Sequence, residues 1–290
     1  MRLRILLPMI LMVSVGRGDW PQWRGEDGQG HAPGKGLAVE WGEKDGVEWR
    51  TELPGRGWSS PVVGGGLVWM TTAMETEAGD EEKAARLKTN TGDQPLTLLS
   101  QVELRALGVE AASGKVVHNL LLMTKRSPQW VHELNSYASP SPVLAGGRMY
   151  CHFGSLGTAC VDTAKGEVAW VNEDKELEVM HENGPGSTPV LVDGLLYFAN
   201  DGGMVTCVDA SSGEEVFRER LGEPFSASPL AHDGRIYFPG REGTTYVLKA
   251  GRAFEKLAAN RLEGRQFASF AVDGGALLVR TDKALYKIKN

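Results

Sequence analysis

One sequence unit recurs five times along the chain, and this repetition restricts the fold more than any other feature. Most copies combine a Ser-Pro or Thr-Pro step, a short apolar run, a turn that contains glycine and a second apolar strand. The copies are centred on Pro61, Pro142, Pro189, Pro229 and Phe270. The later copies follow one another at about 40 residues, and the first gap, about twice as long, indicates one unit with a long insertion. A period of this size predicts a repeat architecture.

A second pattern follows the first in three of the units. An acidic residue stands four positions before a glycine and eight before a bulky residue. We expect the acidic residue to accept N–H groups of its own turn and the glycine to supply a positive φ. We expect the bulky residue to be an apolar plug between neighbouring units, a role that His118 fits less well. The three sets are Glu110, Gly114 and His118, then Asp162, Gly166 and Trp170, then Asp209, Gly213 and Phe217.

Together the two patterns predict about four strands per unit, which is the size of one propeller blade. The predicted fold is therefore all-β, a β-propeller of about five four-stranded blades. The last unit, residues 267–289, holds only about three strands, and residues 46–53 look like the missing outer strand. Pairing of the two would close the ring and protect its sheet edges. The alternative is that middle blades of a wider ring are absent between the second and third units.

The repeat resembles that of the pyrroloquinoline-quinone-like (PQQ-like) β-propellers, which include quinoprotein dehydrogenases and BamB-type outer-membrane assembly proteins. The fuller resemblance is to exported PQQ-like repeat proteins of planctomycete and verrucomicrobial type. The matching segments are WPQWRG at residues 20–25, GRGWSSPV at 55–62 and NSYASPSPV at 135–143. The resemblance implies an exported, non-catalytic propeller that binds a protein, peptide or glycan. Its alternative implication is a PQQ-dependent oxidoreductase or a degenerate descendant of one.

The chain divides into three predicted regions. Residues 1–18 have a basic start, a short apolar core and small residues at the end, as in a signal peptide, with an uncleaved anchor as the alternative. Residues 19–45 form an irregular arm that Trp20, Trp23 and Trp41 would pack across a propeller face, or that would offer a ligand-stacking platform. Residues 46–290 form the propeller.

The propeller contains an insertion at about residues 74–100. This stretch is strongly charged, and residues 75–87 are predicted to form one short helix before a polar loop. A solvated excursion is the simplest interpretation of such a charge run. A partner-docking element is the alternative.

Charge and cysteine content restrict the partners and the compartment. The net charge is −6 and becomes about −9 once the three arginines of residues 1–18 are removed, which argues against nucleic acid and membrane insertion. A periplasmic or secreted protein is expected. The three cysteines, Cys151, Cys160 and Cys207, are an odd number for an exported chain. We expect Cys160 and Cys207 to be buried small hydrophobes.

The sequence defines no catalytic set. The resemblance implies that a PQQ dehydrogenase would need two adjacent cysteines, a Ca²⁺ site and an aspartate base, and this chain has no adjacent cysteines. PQQ with Ca²⁺ is therefore expected only under the oxidoreductase alternative. Loop carboxylates and histidines could serve acid–base chemistry, but most such groups are solvated or structural. These residues are Asp201, Glu242 and Asp282, with His132, His152 and His181.

Propeller function usually resides in loops on a rigid frame, so the candidate binding face consists of residues at the starts of the blades. Their polar and aromatic side chains are expected to converge near the axis. The alternative for Trp58 and Tyr137 is that they cover the ends of the sandwich. The candidate residues are Arg56, Trp58, Asn135, Tyr137, His152, Asn183 and Asn200.

Overall fold

A computed structural model describes residues 19–88, 95–173, 188–212 and 214–290. The predicted signal peptide, Asn183, His181 and Gly213 lie outside the described residues. Most of the described chain forms short antiparallel strands arranged in five four-stranded sheets. The prediction of an all-β propeller with four-stranded blades is thus confirmed.

The five sheets use twenty strands, and each blade is described from its inner strand outward. Blade 5 takes its outer strand from the start of the chain, β1 (Val47–Glu52). Blade 1 contains β2 (Val62–Gly64), β3 (Leu67–Glu77), β5 (Leu99–Glu110) and β6 (Val116–Arg126). Blade 2 contains β8 (Val143–Ala145), β9 (Arg148–His152), β10 (Thr158–Asp162) and β11 (Glu167–Asn172).

The remaining blades follow the same order. Blade 3 contains β12 (Val190–Val192), β13 (Leu195–Ala199), β14 (Met204–Asp209) and β15 (Glu215–Arg220). Blade 4 contains β16 (Leu230–His232), β17 (Arg235–Pro239), β18 (Thr244–Lys249) and β19 (Lys256–Arg261). Blade 5 contains β20 (Ala271–Asp273), β21 (Ala276–Arg280) and β22 (Ala284–Ile288), followed outward by β1. The first strand of the fold therefore completes the last blade, as the sequence predicted.

The same irregularity occurs in every blade between its third and outer strands. The pairing register shifts by one residue next to Gly108, Cys160, Cys207 and Val247, and next to Lys287 in blade 5. An extra residue of this kind bends a strand and increases its twist. The five sheets thus share one geometry as well as one sequence pattern.

A ladder of hydrogen bonds joins neighbouring blades at the start of their inner strands. The backbone N–H of Thr188 donates to Ser228 Oγ (2.9 Å), that of Ser228 to Ser269 Oγ (3.0 Å), and that of Ser269 to Ser60 Oγ (3.0 Å). The N–H of Ser60 in turn donates to Ser141 Oγ (2.8 Å). The blades are thereby linked in the order 3, 4, 5, 1, 2. Closure of the ring between blades 2 and 3 stays a prediction.

The apolar core lies between the blades. One buried cluster joins blades 1 and 2, a second joins blades 3 and 4, and a third joins blades 4, 5 and 1 with the arm. In the arm, Trp20 and Trp41 are buried, whereas Trp23 is 38 % exposed. The arm pairs with the inner strands of blades 1 and 4 through the bridges Trp20–Val63 and His31–Ala231. It therefore lies along the free edges of these two inner strands.

The insertion in blade 1 begins later than the sequence suggested. Strand β3 continues to Glu77, and the helix α1 spans Asp80–Leu87 rather than starting at residue 75. Residues 74–77 remain extended because β5 is long enough to pair with them, with Met74 opposite Glu103 and Glu75 opposite Val102. A two-stranded sheet of β4 (Leu96–Thr97) and β7 (Val131–His132) ties the insertion to the loop before blade 2.

Candidate functional site

An aromatic pair surrounded by arginines lies at the end of the propeller where the inner strands begin. Trp58 precedes β2 and Phe267 precedes β20, and their rings stack with centroids 4.4 Å apart at 22°. The guanidinium carbons of Arg56 and Arg265 lie 5.4 and 5.9 Å from the Trp58 ring. Those of Arg241 and Arg265 lie 5.7 and 5.5 Å from the Phe267 ring. We call these five residues the mouth cluster.

The local sequence explains why blades 1 and 5 supply the aromatic pair. Residues 55–60 read GRGWSS and residues 264–269 read GRQFAS, so each blade presents an arginine, an aromatic ring and the ladder serine at equal spacing. The hydrogen bond from the Ser269 N–H to Ser60 Oγ fixes the two segments side by side. Arg241 enters from the turn after the second strand of blade 4. Guanidinium groups near aromatic faces are held by cation–π attraction, which is strongest where water is excluded.

Arg241, which is half-buried, and Arg265, which is exposed, each have a carboxylate neighbour. Arg241 lies 2.7 Å from Asp201, and Arg265 lies 3.0 Å from Asp282. These partners are two of the three loop carboxylates that the sequence offered for acid–base chemistry, and here they pair with arginines. The pair of Arg265 lies at the surface and contributes little stability, so the Arg265 guanidinium can exchange partners.

Arg56 has a more enclosed carboxylate partner. Its Nη1 lies 3.7 Å from Glu75 Oε2. Burial raises the pKa of Glu75, and the Arg56 charge acts in the opposite direction. Arg56 also donates to the Glu133 carbonyl, while the Trp58 indole N–H donates to the Leu134 carbonyl at 3.1 Å. The loop before blade 2 is thereby fastened to the mouth cluster.

A buried arginine forms the floor below the aromatic pair. Arg280 is 3 % exposed and donates to the Ser59 carbonyl (2.8 Å), Ser59 Oγ (2.6 Å) and the Thr71 carbonyl (3.0 Å). Burial lowers its pKa to about 9. A Cβ at Gly57 would lie 2.6 Å from Arg280 Nη2, so the approach requires glycine. Arg280 therefore joins blades 5 and 1.

The predicted face is gathered only in part. Arg56 and Trp58 belong to the mouth cluster, and Tyr137 is buried in the adjoining loop, where its hydroxyl donates to the Gln129 carbonyl (2.6 Å). Burial raises the pKa of Tyr137 to about 12. Asn135 Oδ1 accepts from the Ser136 N–H and from Ser139 Oγ within its own turn.

The other predicted face residues lie on blades 2 and 3. His152 Nδ1 is 2.8 Å from Thr158 Oγ1 on the neighbouring strand. Asn200 Oδ1 accepts from the N–H groups of Gly202 (3.0 Å) and Met204 (3.1 Å), which makes it a turn residue. Both side chains stand at the same end of the propeller as the mouth cluster, because His152 ends and Asn200 follows the second strand of a blade. Asn183 is not among the described residues.

The repeat-motif acids make turn contacts. Asp162 Oδ1 accepts the Lys165 N–H (3.1 Å), and Glu110 accepts the Ser113 hydroxyl. Asp209 Oδ1 accepts the N–H and hydroxyl of Ser211, which together with Arg252 lower its pKa strongly. Gly114 and Gly166 adopt φ of 74° and 66°.

The bulky members of the motif differ from one another. Phe217 is partly buried and packs against Phe254 of blade 4, with ring centroids 5.6 Å apart. Trp170, expected to be an apolar plug between blades, is 45 % exposed, so that expectation is wrong for this residue. The blade that should cover Trp170 does not pack over it.

Four residues of the candidate site escaped the sequence prediction, namely Arg241, Arg265, Phe267 and Arg280. Phe267 and Arg265 lie in the fifth copy of the repeat, where Phe270 replaces proline. The similarity of residues 264–269 to GRGWSS is therefore less evident. Comparison of residues 55–60 with 264–269 would have found both. Arg241 and Arg280 carry no such signal, because Arg241 follows and Arg280 ends a strand that differs in sequence from its counterparts.

Metal ligands and cysteines are the groups that the quinoprotein alternative requires. The described residues contain no group of three or more His, Cys, Asp or Glu side chains placed to hold a metal ion. Cys151, Cys160 and Cys207 are buried free thiols on separate strands, and burial raises the pKa of Cys151 and Cys207. Since the thiolate is the reactive form of cysteine, burial makes Cys151 and Cys207 unreactive packing groups. Cys160 is equally buried.

The repeated four-stranded sheets and their shared motif define a propeller of the PQQ-like repeat class. A sequence model described as outer membrane protein assembly factor BamB matches residues 31–176 and 171–288. The chain therefore belongs to this family of PQQ-like repeat proteins. No curated protein sequence matches it.

Among solved structures, the chain is similar to the crystal structure of BamB from Moraxella catarrhalis. The two share 11 % identity over 83 % of this chain and 74 % of that one, with a TM-score of 0.31. Within the described residues, no helix has the length and apolar character needed to cross a membrane.

Proposed function

We propose that the protein is an exported, non-catalytic binding module that holds a protein partner at the mouth cluster. The observation that carries this proposal is the set of three guanidinium groups within 6 Å of one stacked aromatic pair. Tryptophan and arginine dominate the binding energy of protein interfaces, where they cluster at the centre and exclude water. A rigid frame under such residues reduces the entropy lost on binding.

The geometry favours a protein segment over a glycan. A sugar binds an aromatic residue by lying on its open face, but Trp58 is 8 % exposed, and Phe267 covers it. What the mouth cluster offers instead is the rim of the pair and the N–H groups of three arginines. Acidic or amide groups of a polypeptide fit such donors. The net charge of −6 argues against nucleic acid as the partner.

Family membership supports the same class of partner and an extracytoplasmic location. The family's description, an outer membrane protein assembly factor, is that of a protein that works with other proteins. The basic start and apolar core of residues 1–18 provide an export signal. Under this proposal the mature chain acts in the periplasm or outside the cell.

Site-specific photocrosslinking tests the proposal. The photoreactive residue p-benzoylphenylalanine would replace Phe267 in the full chain, produced in its own host, and in a matched chain would replace Leu121. Leu121 is 46 % exposed and lies on the outer strand of blade 1, away from the mouth cluster. We expect one discrete crosslinked protein from position 267 and not from 121, with at least about a tenfold loss on Arg265→Glu. Equal or absent crosslinking at both positions would refute the proposal.

A ligand-binding experiment tests the non-catalytic part of the proposal. A ligand that binds only the folded state raises the unfolding midpoint, so PQQ with Ca²⁺ must do so if the chain is a quinoprotein. We expect no shift, since the chain lacks the adjacent cysteines that the resemblance requires of a quinoprotein. A dose-dependent rise would overturn the non-catalytic assignment and would leave the crosslinking result to be judged separately.

A further inference from the structure

Each blade presents a row of four cross-strand partners to the blade that follows it. In blade 3 the row is Val190, Tyr197, Cys207 and Phe217, and the first three are fully buried against blade 4. We call this side of a blade its front face and the opposite side its back face. In blade 4 the corresponding Tyr237 and Val247 are also fully buried, and so is Trp69 in blade 1.

Blade 2 departs from this rule. Its front row consists of Val143, Tyr150, Cys160 and Trp170, joined strand to strand in the same register. Val143 is 40 % exposed, Tyr150 39 % and Trp170 45 %. Three adjoining large apolar side chains are thereby open to water on one face of a sheet, a feature of interaction sites.

Blade 3 is open on the complementary side. Leu191 is 50 % exposed, whereas the residues at its position in blades 1, 4 and 5 are only 2 to 5 % exposed. Those residues are Val63, Ala231 and Val272. The serine ladder is interrupted at the same junction, because the described residues include no bond between Ser141 and Thr188 like those at the other four junctions. One chain therefore carries an uncovered front face and an uncovered back face.

The other junctions show what covers an outer-strand aromatic residue. Trp49 of blade 5 donates its indole N–H to the Ala111 carbonyl in the turn of blade 1 (3.1 Å). His118 of blade 1 packs so closely on the turn of blade 2 that a Cβ at Gly166 would lie 2.1 Å from its ring. By the same relation, the turn that would cover Trp170 is that of a blade 3, which contains Ala210.

We propose that a second copy of this chain fills the open junction, with the front face of blade 2 against the back face of blade 3 of the partner copy. The arm already holds both inner strands of one chain, since the Pro21 carbonyl accepts the Leu144 N–H and Arg24 donates to the Pro189 carbonyl. The front row of blade 2 is nevertheless exposed, so the chain's own blade 3 does not cover it. If a two-fold axis relates the two copies, blade 2 of each copy covers blade 3 of the other. Two such contacts bury twice the area of one and leave no open face for a third copy.

Sedimentation velocity of the full mature chain over a wide concentration range gives the first test. We expect a concentration-dependent species of twice the chain mass. Trp170→Glu and Leu191→Glu should each raise the dissociation constant at least about tenfold, because each places a charge in a desolvated contact. Val117→Glu, at a residue 41 % exposed on blade 1, is the matched control and should leave it unchanged. A monomer at all concentrations would overturn the proposal.

Disulfide trapping separates a second copy from closure within one chain. Both chains carry Cys160→Ala, because Cys160 lies directly opposite positions 170 and 150 and would otherwise form an internal disulfide. A chain with Trp170→Cys is mixed with a chain with Ala210→Cys and oxidised, while Cys151 and Cys207 stay buried. A covalent heterodimer from the mixture supports the proposal. An internal crosslink in a doubly substituted chain, with none in the mixture, means that the ring closes on itself and refutes it. If Trp170→Cys fails to fold, Tyr150→Cys at the same face replaces it.

Discussion

At the scale of single residues, Tyr197 and Tyr237 provide a natural comparison. They occupy the same row position in blades 3 and 4 and are both fully buried. The Tyr197 hydroxyl accepts the Gly251 N–H at 2.8 Å, whereas the Tyr237 hydroxyl has no hydrogen-bond partner among the described residues. A buried polar group without a partner costs free energy that a bonded one does not.

Tyr237→Phe should therefore raise the free energy of unfolding by about 1 kcal/mol, and Tyr197→Phe should lower it by about the same amount. The two substitutions remove the same atom from equivalent positions, so each is the control for the other. Urea unfolding at neutral pH, with equal m-values, measures both changes. If both substitutions change the unfolding free energy in the same direction, the hydrogen bonding of the two hydroxyls does not determine the stability at these positions.

The same tyrosines set the response to alkaline pH. Burial raises the pKa of both Tyr197 and Tyr237 from 10.0 to about 12. In the unfolded chain these phenols lose protons near pH 10, so between pH 10 and 12 the folded state binds more protons and its stability falls as pH rises. The stabilising contribution is complete below pH 10 and is lost through pH 12. Tyr237→Phe should make the fall in unfolding free energy over this range shallower than in the parent chain.

At the scale of elements, two side chains of blade 4 hold the backbone of the arm. Asn260 Oδ1 accepts the Trp41 N–H (2.9 Å), and Asn260 Nδ2 donates to the Val39 carbonyl (2.8 Å). His232 Nε2 accepts the Leu37 N–H (3.3 Å). Since the arm lacks regular strands of its own, these side chains replace the pairing that a sheet would provide.

Asn260→Leu should release this part of the arm, with a loss of about 1 to 3 kcal/mol in unfolding free energy because two buried backbone groups lose their partners. Hydrogen exchange followed by mass spectrometry should show faster exchange of the Trp41 amide, with the outer strands unchanged. Asn119→Leu, at an exposed amide on blade 1, is the control. Unchanged exchange in the arm would mean that burial of Trp20 and Trp41 alone holds it.

The elements also show which features the sequence could predict. Hairpins, turn glycines and the pairing of β1 with the last blade depend on local patterns repeated in register, so five copies of the signal reinforced one another. The mouth cluster depends on three blades meeting, because Arg241 comes from blade 4. The stack of Trp58 on Phe267 becomes visible only when the first and fifth blades are adjacent. The predicted start of α1 at residue 75 was wrong, because long-range pairing of β3 with β5 overrode the local helical signal.

At the scale of the whole molecule, the junctions between blades are unequal, and two tryptophans at equivalent positions report the difference. Trp49 is half-buried at the junction of blades 5 and 1, where its indole N–H meets the Ala111 carbonyl and its ring lies against Gly114. Trp170 is 45 % exposed at the open junction.

Because buried aromatic area dominates the contact energy, Trp49→Ala should lower the unfolding free energy by about 2 to 3 kcal/mol, and Trp170→Ala by less than about 1 kcal/mol in dilute solution. At concentrations where two copies associate, the loss from Trp170→Ala should grow towards that from Trp49→Ala, since association then buries the ring. Thermal unfolding measured at low and high protein concentration separates the two cases: a loss from Trp170→Ala that is large and independent of concentration would show that the ring is already closed within a single chain.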